Sequence, residues 1–258
     1  MLPSLFLAHG LPTLIYENNK YTRFLRNIPT TIIRSVPRAV VVFSSHWESN
    51  QLEICSTINY KTMQDSPKMT EHPYNIAYPA KGDIGIALEI QQSLLEEGIN
   101  ATLNDTRELD LSAWFILHLL YPMANIPVIL ISINPNLVLE EQYRIGKAIA
   151  LAKTHDILIL GSGGTVANLS NVRLPIDQHG NRAMLFDNWI KEQIETWNIE
   201  KLFILDELAP YAKWAVPAKA QIIPLIITMG AGDKLKNGTL LHREYMHGSL
   251  SLSAWCFS

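Results

Sequence analysis

Charge is scarce in this sequence. Only 17% of its 258 residues are Asp, Glu, Lys or Arg, against about 25% in an average globular domain. Hydrophobic residues make up 48%, so there is enough apolar surface to offset chain entropy, and disorder is excluded. Positive charge is not in excess either. The formal net charge is −3, which removes the broad basic footprint of a nucleic-acid binder. Cysteine is nearly absent: Cys55 and Cys256 lie far apart and form no CxxC pair. Neither a disulfide framework nor a cysteine zinc site is expected, and a reducing compartment, the cytoplasm, is the expected location. No run reaches the roughly 18 uninterrupted apolar residues of a membrane span. The opening MLPSLFLAHG lacks a positive n-region, contains Pro3 and runs into a His-Gly-Leu-Pro turn, so it reads as a first core strand and not a leader. Without an internal repeat or a low-complexity linker, the expectation is one domain over 1–258.

What is present is an alternation of two patterns. Short apolar runs rich in β-branched residues end in small or polar residues: Ser4–Ala8 before His9-Gly10, Ala39–Phe43 before Ser44-Ser45-His46-Trp47, Pro127–Ser132 before Asn134-Pro135, and Ile157–Leu160 before Gly161-Ser162-Gly163-Gly164. These suit buried strands. Between them lie helical periods over Asp83–Gly98, Leu137–Ala152 and Asn181–Trp197. In the first of these, Ile84, Ala87, Leu88, Leu94 and Leu95 are expected to form the buried face, with Gly98 just past the C-cap. Ala220–Met229 is apolar nearly throughout, which leaves helix against strand open. The tail Ser249–Phe257 alternates like a late strand closing the sheet. The expected fold is α/β: a single-domain sandwich, its central sheet mostly parallel or mixed and its helices on both faces. Open sheets of this class place their sites at the carboxyl ends of strands.

Two histidines sit at such ends. His9 precedes Gly10 and Pro12, which set a tight turn, and His46 lies between Ser45 and Trp47. Imidazoles on neighbouring strands can meet over one iron or zinc ion; each taken singly reads first as a hydrogen-bonded loop residue, and it is the pair of matching contexts that brings the metal reading level with it. The glycine run GSGGTVANL, 161–169, invites a phosphate-cradle reading and fails it. The third glycine of a GxGxxG would fall at Val166, no Lys-Ser/Thr follows, and Leu160 stands where a nucleophile elbow needs glycine. No nucleotide cofactor is expected, and the run reads as a tight turn beside a cleft. Trp47, Trp114 and Tyr78 are aromatic enough to wall a pocket for a flat ligand, although aromatics more often pack in cores.

Taken in order, the segments LAHGLPT (7–13), VVFSSHWES (41–49), NIAYPAKGD (75–83), ELDLSAW (108–114) with LYP (120–122), LILGSGG (158–164) with Asn168-Leu169, FDNW (186–189) and GSLSLSAWCF (248–257) resemble the class III extradiol ring-cleavage dioxygenases of the 4,5-DOPA dioxygenase type. The resemblance covers essentially the whole chain. It implies a non-haem Fe(II), or a zinc ion, at the strand ends, and O2-dependent cleavage of a catecholic ring beside its two hydroxyls. His9 and His46 match two metal ligands of that family. The third, a histidine ahead of a Leu-Pro-Leu helix, reads Gln221. The family's proton-transfer histidine in Thr-His-Asn-Leu reads Ala167, followed by Asn168. Its Leu-Asp-His-Gly-Ala-Trp reads Leu109-Asp110-Leu111-Ser112-Ala113-Trp114, and its His-Pro reads Val216-Pro217. Four site histidines are thus replaced on a retained scaffold. The implied substrate pocket comprises Pro12, Trp47, Asp110, Leu111, Trp114, Ala167 and Asn168.

Two residues are candidates to stand in for what is missing. Glu48, two positions after His46, would point to the same side if the strand continues. His118 lies one helical turn beyond Trp114. Both also read as ordinary surface or packing residues. Three functions follow from these residues: a ring-opening dioxygenase with a rearranged site, a descendant that binds a small aromatic ligand or a protein without turning it over, or different, metal-free chemistry in the same cleft. Oligomeric state is left open by the sequence.

Overall fold

The computed structural model describes residues 2–63, 77–171 and 180–258, and Asn75 and Ile76 of the NIAYPAKGD motif lie outside them. Eight strands appear: β1 (Ser4–Ala8), β2 (Ala39–Glu48), β3 (Leu52–Cys55), β4 (Ala101–Asn104), β5 (Val128–Ile133), β6 (Ile157–Gly163), β7 (Gly238–Met246) and β8 (Leu250–Phe257). They form one mixed sheet in the order β4-β3-β5-β2-β6-β1-β8-β7. Its centre, β5-β2-β6-β1, is parallel, and β8 runs antiparallel to β1. Successive side chains on a strand point to opposite faces, and that alternation divides the apolar residues between two cores. Val41, Phe43, Ile157 and Ile159 face one; Val40, Val42, Leu158 and Leu160 face the other.

Helices cover both faces, as expected. One face takes α1 (Lys20–Ile28) and α3 (Leu111–Leu120); the other takes α2 (Ile84–Glu96), α4 (Leu139–Ile149), α5 (Gly180–Glu195) and, past the short α6 (Ile199–Phe203), α7 (Leu205–Leu208) and α8 (Ala212–Ala215), the apolar α9 (Ile223–Ala231). Helix therefore prevails over strand in the segment left open by the sequence. Pro224 sits in the first turn of α9, where its missing N–H is not needed. Every α9 residue is buried because the helix is held between the sheet and α4. In α2, Asp83 caps the N-terminus with a 3.1 Å bond from the Ile86 amide, and Gly98 takes φ +74° beyond the last turn.

Four details differ from the sequence reading. The buried face of α2 is Ile86, Ala87, Ile90 and Leu94, while Ile84, Leu88 and Leu95 are about half exposed. Ala87 and Leu94 are thus buried as expected, and packing turned the stripe toward Ile86 and Ile90 instead of Ile84, Leu88 and Leu95. β8 does not close the sheet, because β7 pairs along its outer edge. The second strand runs on to Glu48 with an irregular register against β5 after Phe43, so His46 lies within the strand's last turn of pleat and not beyond it. Finally, β1 and β2 are not neighbours: β6 lies between them.

That insertion makes the glycine run intelligible. A Cβ on Gly161 would stand 2.5 Å from the Pro224 carbonyl oxygen, and one on Gly163 would stand 2.1 Å from that of Gln221. The bare strand lets the entry to α9 press onto β6, and the Gly164 amide then donates 2.9 Å to the Gln221 carbonyl. The run is a packing seam.

Candidate active site

His9 leaves β1 at a point fixed from three sides. Gly10 takes φ +60°, the Tyr21 hydroxyl donates to the Ala8 carbonyl, and the His9 amide donates 3.2 Å to Gly163 on β6. The side chain is buried, with Nδ1 lying 3.4 Å from the Ser162 hydroxyl. Burial, and secondarily the neighbouring His46 ring, hold this imidazole well below its usual range, so it is neutral at pH 7.

His46 is positioned through its backbone. The Ser44 hydroxyl donates 2.7 Å to Asp110 while accepting 3.1 Å from the His46 amide. Arg107 donates 3.3 Å to the His46 carbonyl and pairs with the other Asp110 oxygen at 3.1 Å. Asp110 in turn caps α3, accepting 3.1 Å from the Ala113 amide. One buried carboxylate thus ties the start of α3 to the end of β2.

The two rings meet edge to face, with centroids 4.8 Å apart and planes at 72°. β6 separates their strands, but the backbone of its glycine end adds no side-chain bulk between them. They open onto a cavity of about 460 Å³, within the usual size of a small-ligand site. Pro12, Leu111, Ala167 and Gln221 also line it. Its remaining walls are mostly apolar, Leu11, Val166 and Leu250 among them, and no Asp, Glu, Lys or Arg among the described residues lines it.

Other anticipated residues do not reach this cavity. Trp47 is buried beneath the Arg107 guanidinium, 5.1 Å from its ring centre. Trp114 sends its indole N–H 3.3 Å to the Met63 carbonyl, and Asn168 donates 2.6 Å to that of Trp214. Asp110 acts through Ser44 and Arg107, as above. Glu48 is exposed at the far end of β2 opposite Ile133. His118 packs edge-on to Tyr78, on the α1–α3 face. Trp47 alternates with His46 on the pleat of β2 and so faces the other side, whereas Glu48 shares the side of His46 and lies one pleat farther along the strand. Ser44, Arg107, Ser112 and Ser162 do bear on the site and were not singled out by the sequence reading. Ser44, in the same Ser-Ser-His-Trp stretch as His46, is the one its position hinted at.

Among the described residues lining the cavity, the nitrogen and carboxamide donors suited to a cation are two imidazoles and the Gln221 side chain. Among the described residues, no group of three or more His, Cys, Asp or Glu comes together to hold a metal ion. The three-imidazole set implied by the resemblance is not assembled by these residues, and a neutral carboxamide is a weaker donor than imidazole.

Comparison with known proteins converges on one description. The family model for the catalytic LigB subunit of aromatic ring-opening dioxygenase matches residues 2–253. A Mirabilis jalapa protein named 4,5-DOPA dioxygenase extradiol is 28% identical over 255 residues, 98% of this chain and 96% of its own length. One of the same name from Escherichia coli K12 is 28% identical, covering 97% and 93%. The crystal structure of an uncharacterized Escherichia coli K12 protein superposes with a TM-score of 0.82 at 25% identity, covering all of both chains.

Proposed function

The chain belongs to the LigB family of aromatic ring-opening dioxygenases, and from that premise we propose that its strand-end cleft binds a small hydroxylated aromatic ring while opening such rings only feebly. One observation carries the reading. Within a single cavity His9 and His46 stand side by side, while Leu111, Ala167 and Gln221 occupy positions that the resemblance gives to histidine.

Each part of the cavity then has a definite task. Leu11, Pro12, Val166 and Leu250 supply apolar walls for the faces of a ring. His9, neutral because it is buried, and the exposed His46 offer polar contacts to ring hydroxyls. Ala167 and Leu111 carry no titratable proton, and general acid–base help is typically worth about 10²–10⁴-fold in rate. A metal ion of the kind the resemblance implies, Fe(II) or zinc, would be held by His9 and His46 and would supply the Lewis-acid and O2 chemistry of ring opening. With two imidazoles and a carboxamide among the described residues, this chain would hold such an ion weakly. Among the described residues, the apolar walls and the two imidazoles support ring binding, and no histidine stands where the resemblance has its proton-transfer and third-ligand residues. Cys55 and Cys256 are not joined in a disulfide, which fits a reducing compartment, and we place the protein in the cytoplasm.

The test has two arms. Catechol is titrated calorimetrically into metal-stripped protein, and DOPA is then supplied in air to protein loaded anaerobically with ferrous iron. We expect saturable catechol binding that Ala167→Trp abolishes by filling the cavity, and little growth of the yellow semialdehyde absorbance. Absence of catechol binding, or brisk yellowing, overturns the reading.

A further inference from the structure

We infer that Ser162, held by Ser112, fixes His9 in the tautomer protonated on Nδ1, leaving Nε2 bare as the nitrogen with which the cleft accepts a hydrogen bond from a ligand hydroxyl. The inference deepens the proposed function and rests on that reading for its ligand, though not for the tautomer itself.

It comes from proton accounting in a buried cluster. A serine hydroxyl has one proton to give and two lone pairs to receive with. Ser112 and Ser162 are both fully buried, so bulk water does not enter the count. The Ser162 hydroxyl donates 2.7 Å to the Ser112 carbonyl. It accepts at 2.9 Å from the Ser112 hydroxyl, whose one proton has the Ser162 carbonyl as its longer alternative at 3.3 Å. Its remaining contact is His9 Nδ1 at 3.4 Å. The single proton of Ser162 goes to the much shorter of its two acceptor contacts, the carbonyl, because hydrogen bonds weaken steeply with distance. Towards His9 the serine can then only accept, so Nδ1 must carry the ring proton. Every donor and lone pair of Ser162 is thereby satisfied.

A neutral imidazole carries one N–H, and the nitrogen not engaged inward is left as an acceptor. With Nδ1 turned to the buried serine pair, Nε2 is the nitrogen left for the cavity that His9 lines. An acceptor there selects phenolic hydroxyls, which donate, over methoxy or carbonyl groups, which do not. Ser112 gives this chain a hydroxyl where the resembling motif has glycine, and that hydroxyl fills the second lone pair of Ser162. Ser162 is a positioning residue here, acting on the ligand only through His9.

Long-range proton–nitrogen NMR of histidine-labelled protein tests this without any ligand. The signal absent from His9→Gln identifies the ring. We expect the Nδ1–H pattern in the unmodified protein, and an Nε2–H or mixed pattern in Ser162→Ala. If the alanine variant fails to fold, Ser162→Cys keeps the volume while replacing the hydroxyl by a weak donor and acceptor. An Nε2–H pattern in the unmodified protein, or no change in the variant, overturns the inference. In calorimetry, catechol affinity is expected to fall about tenfold in Ser162→Ala, the loss of one hydrogen bond, while 1,2-dimethoxybenzene is unaffected or gains; an equal fall for both ligands also overturns it. If the unmodified protein shows the Nδ1–H pattern and binds no catechol, the function proposed above fails and the tautomer assignment stands.

Discussion

Asp110 steers His46 through its backbone. The carboxylate receives a 2.7 Å hydrogen bond from Ser44, whose oxygen receives the His46 amide. The same carboxylate pairs with Arg107 and caps α3. Asp110→Ala removes all three contacts and leaves a half-buried guanidinium without its partner. A lost cap costs about 1 kcal/mol, and charge-assisted hydrogen bonds contribute about 1.5–3 kcal/mol. The expected loss is about 3 kcal/mol, read as a lower urea midpoint at unchanged slope. Because the carboxylate does not line the cavity, Asp110→Asn, which preserves shape and acceptor, should retain most catechol binding.

Gly163 supplies a second prediction. A Cβ there would lie 2.1 Å from the Gln221 carbonyl oxygen, and backbone cannot swing aside as a side-chain end can. Gly163→Ala must push the entry of α9 off β6, breaking the 2.9 Å bond from the Gly164 amide. Overpacking of this kind costs about 1–3 kcal/mol. The thermal midpoint should fall, and the Gln221 side chain should leave the cavity in a crystal structure of the variant. A variant as stable as the parent would mean that the seam is looser than these distances require.

The central strands and the three long helices were legible in the sequence because each rests on local pattern, whereas the meeting of His9 with His46 followed from the family resemblance, since their strands are not neighbours. A buried strand is a short β-branched run wherever it pairs. What was not legible depends on tertiary choice. Strand order is not written locally, so β6 between β1 and β2 could not be read. The four-residue strands β3 and β4 are too short for periodicity to register. The mostly apolar α2 offers two faces, and only packing decides which is buried. The same holds at the site: Leu111, Ala167 and Gln221 were placed by motif, whereas Trp47, Trp114 and Asn168 sit beside correctly placed neighbours but turn away from the cavity. Sequence spacing fixes where a Cα lies along an element and leaves the direction of its side chain to the pleat.

His118 gives a pH-dependent prediction. Burial, and secondarily the charge of Arg26, lower its pKa from the usual 6.5, and Nδ1 finds no hydrogen-bond partner among the described residues. The folded state therefore favours the neutral ring, while the unfolded chain takes up its proton near pH 6.5. Below that pH the unfolded state binds more protons, so stability falls as pH falls until the folded pKa is reached. Chemical denaturation of His118→Gln between pH 7.5 and 5 should show a shallower decline than the parent. An unchanged slope would mean that the ring is charged in place.

The replaced histidines give the prediction that bears most directly on function. Gln221 lines the same cavity as His9 and His46, so Gln221→His would bring a third imidazole to the donor set. Ala167 lines it too, and Ala167→His would supply a titratable group beside a bound ring. The two changes address different deficits, metal retention and proton movement, so they should act separately. Gln221→His alone should raise the iron retained per chain after anaerobic loading and desalting, with little gain in ring opening. The double variant should then open DOPA faster than either single one, about 10²-fold above the parent if the histidine recovers ordinary acid–base assistance. That is close to 3 kcal/mol of barrier at about 1.4 kcal/mol per tenfold. Both quantities are read on the same preparations, iron by elemental analysis and turnover by semialdehyde absorbance. If the double variant holds no more iron than the parent, Gln221 is not the missing donor position. If the parent already turns over briskly, Leu111, Ala167 and Gln221 have not cost the site its chemistry, and another residue supplies the proton.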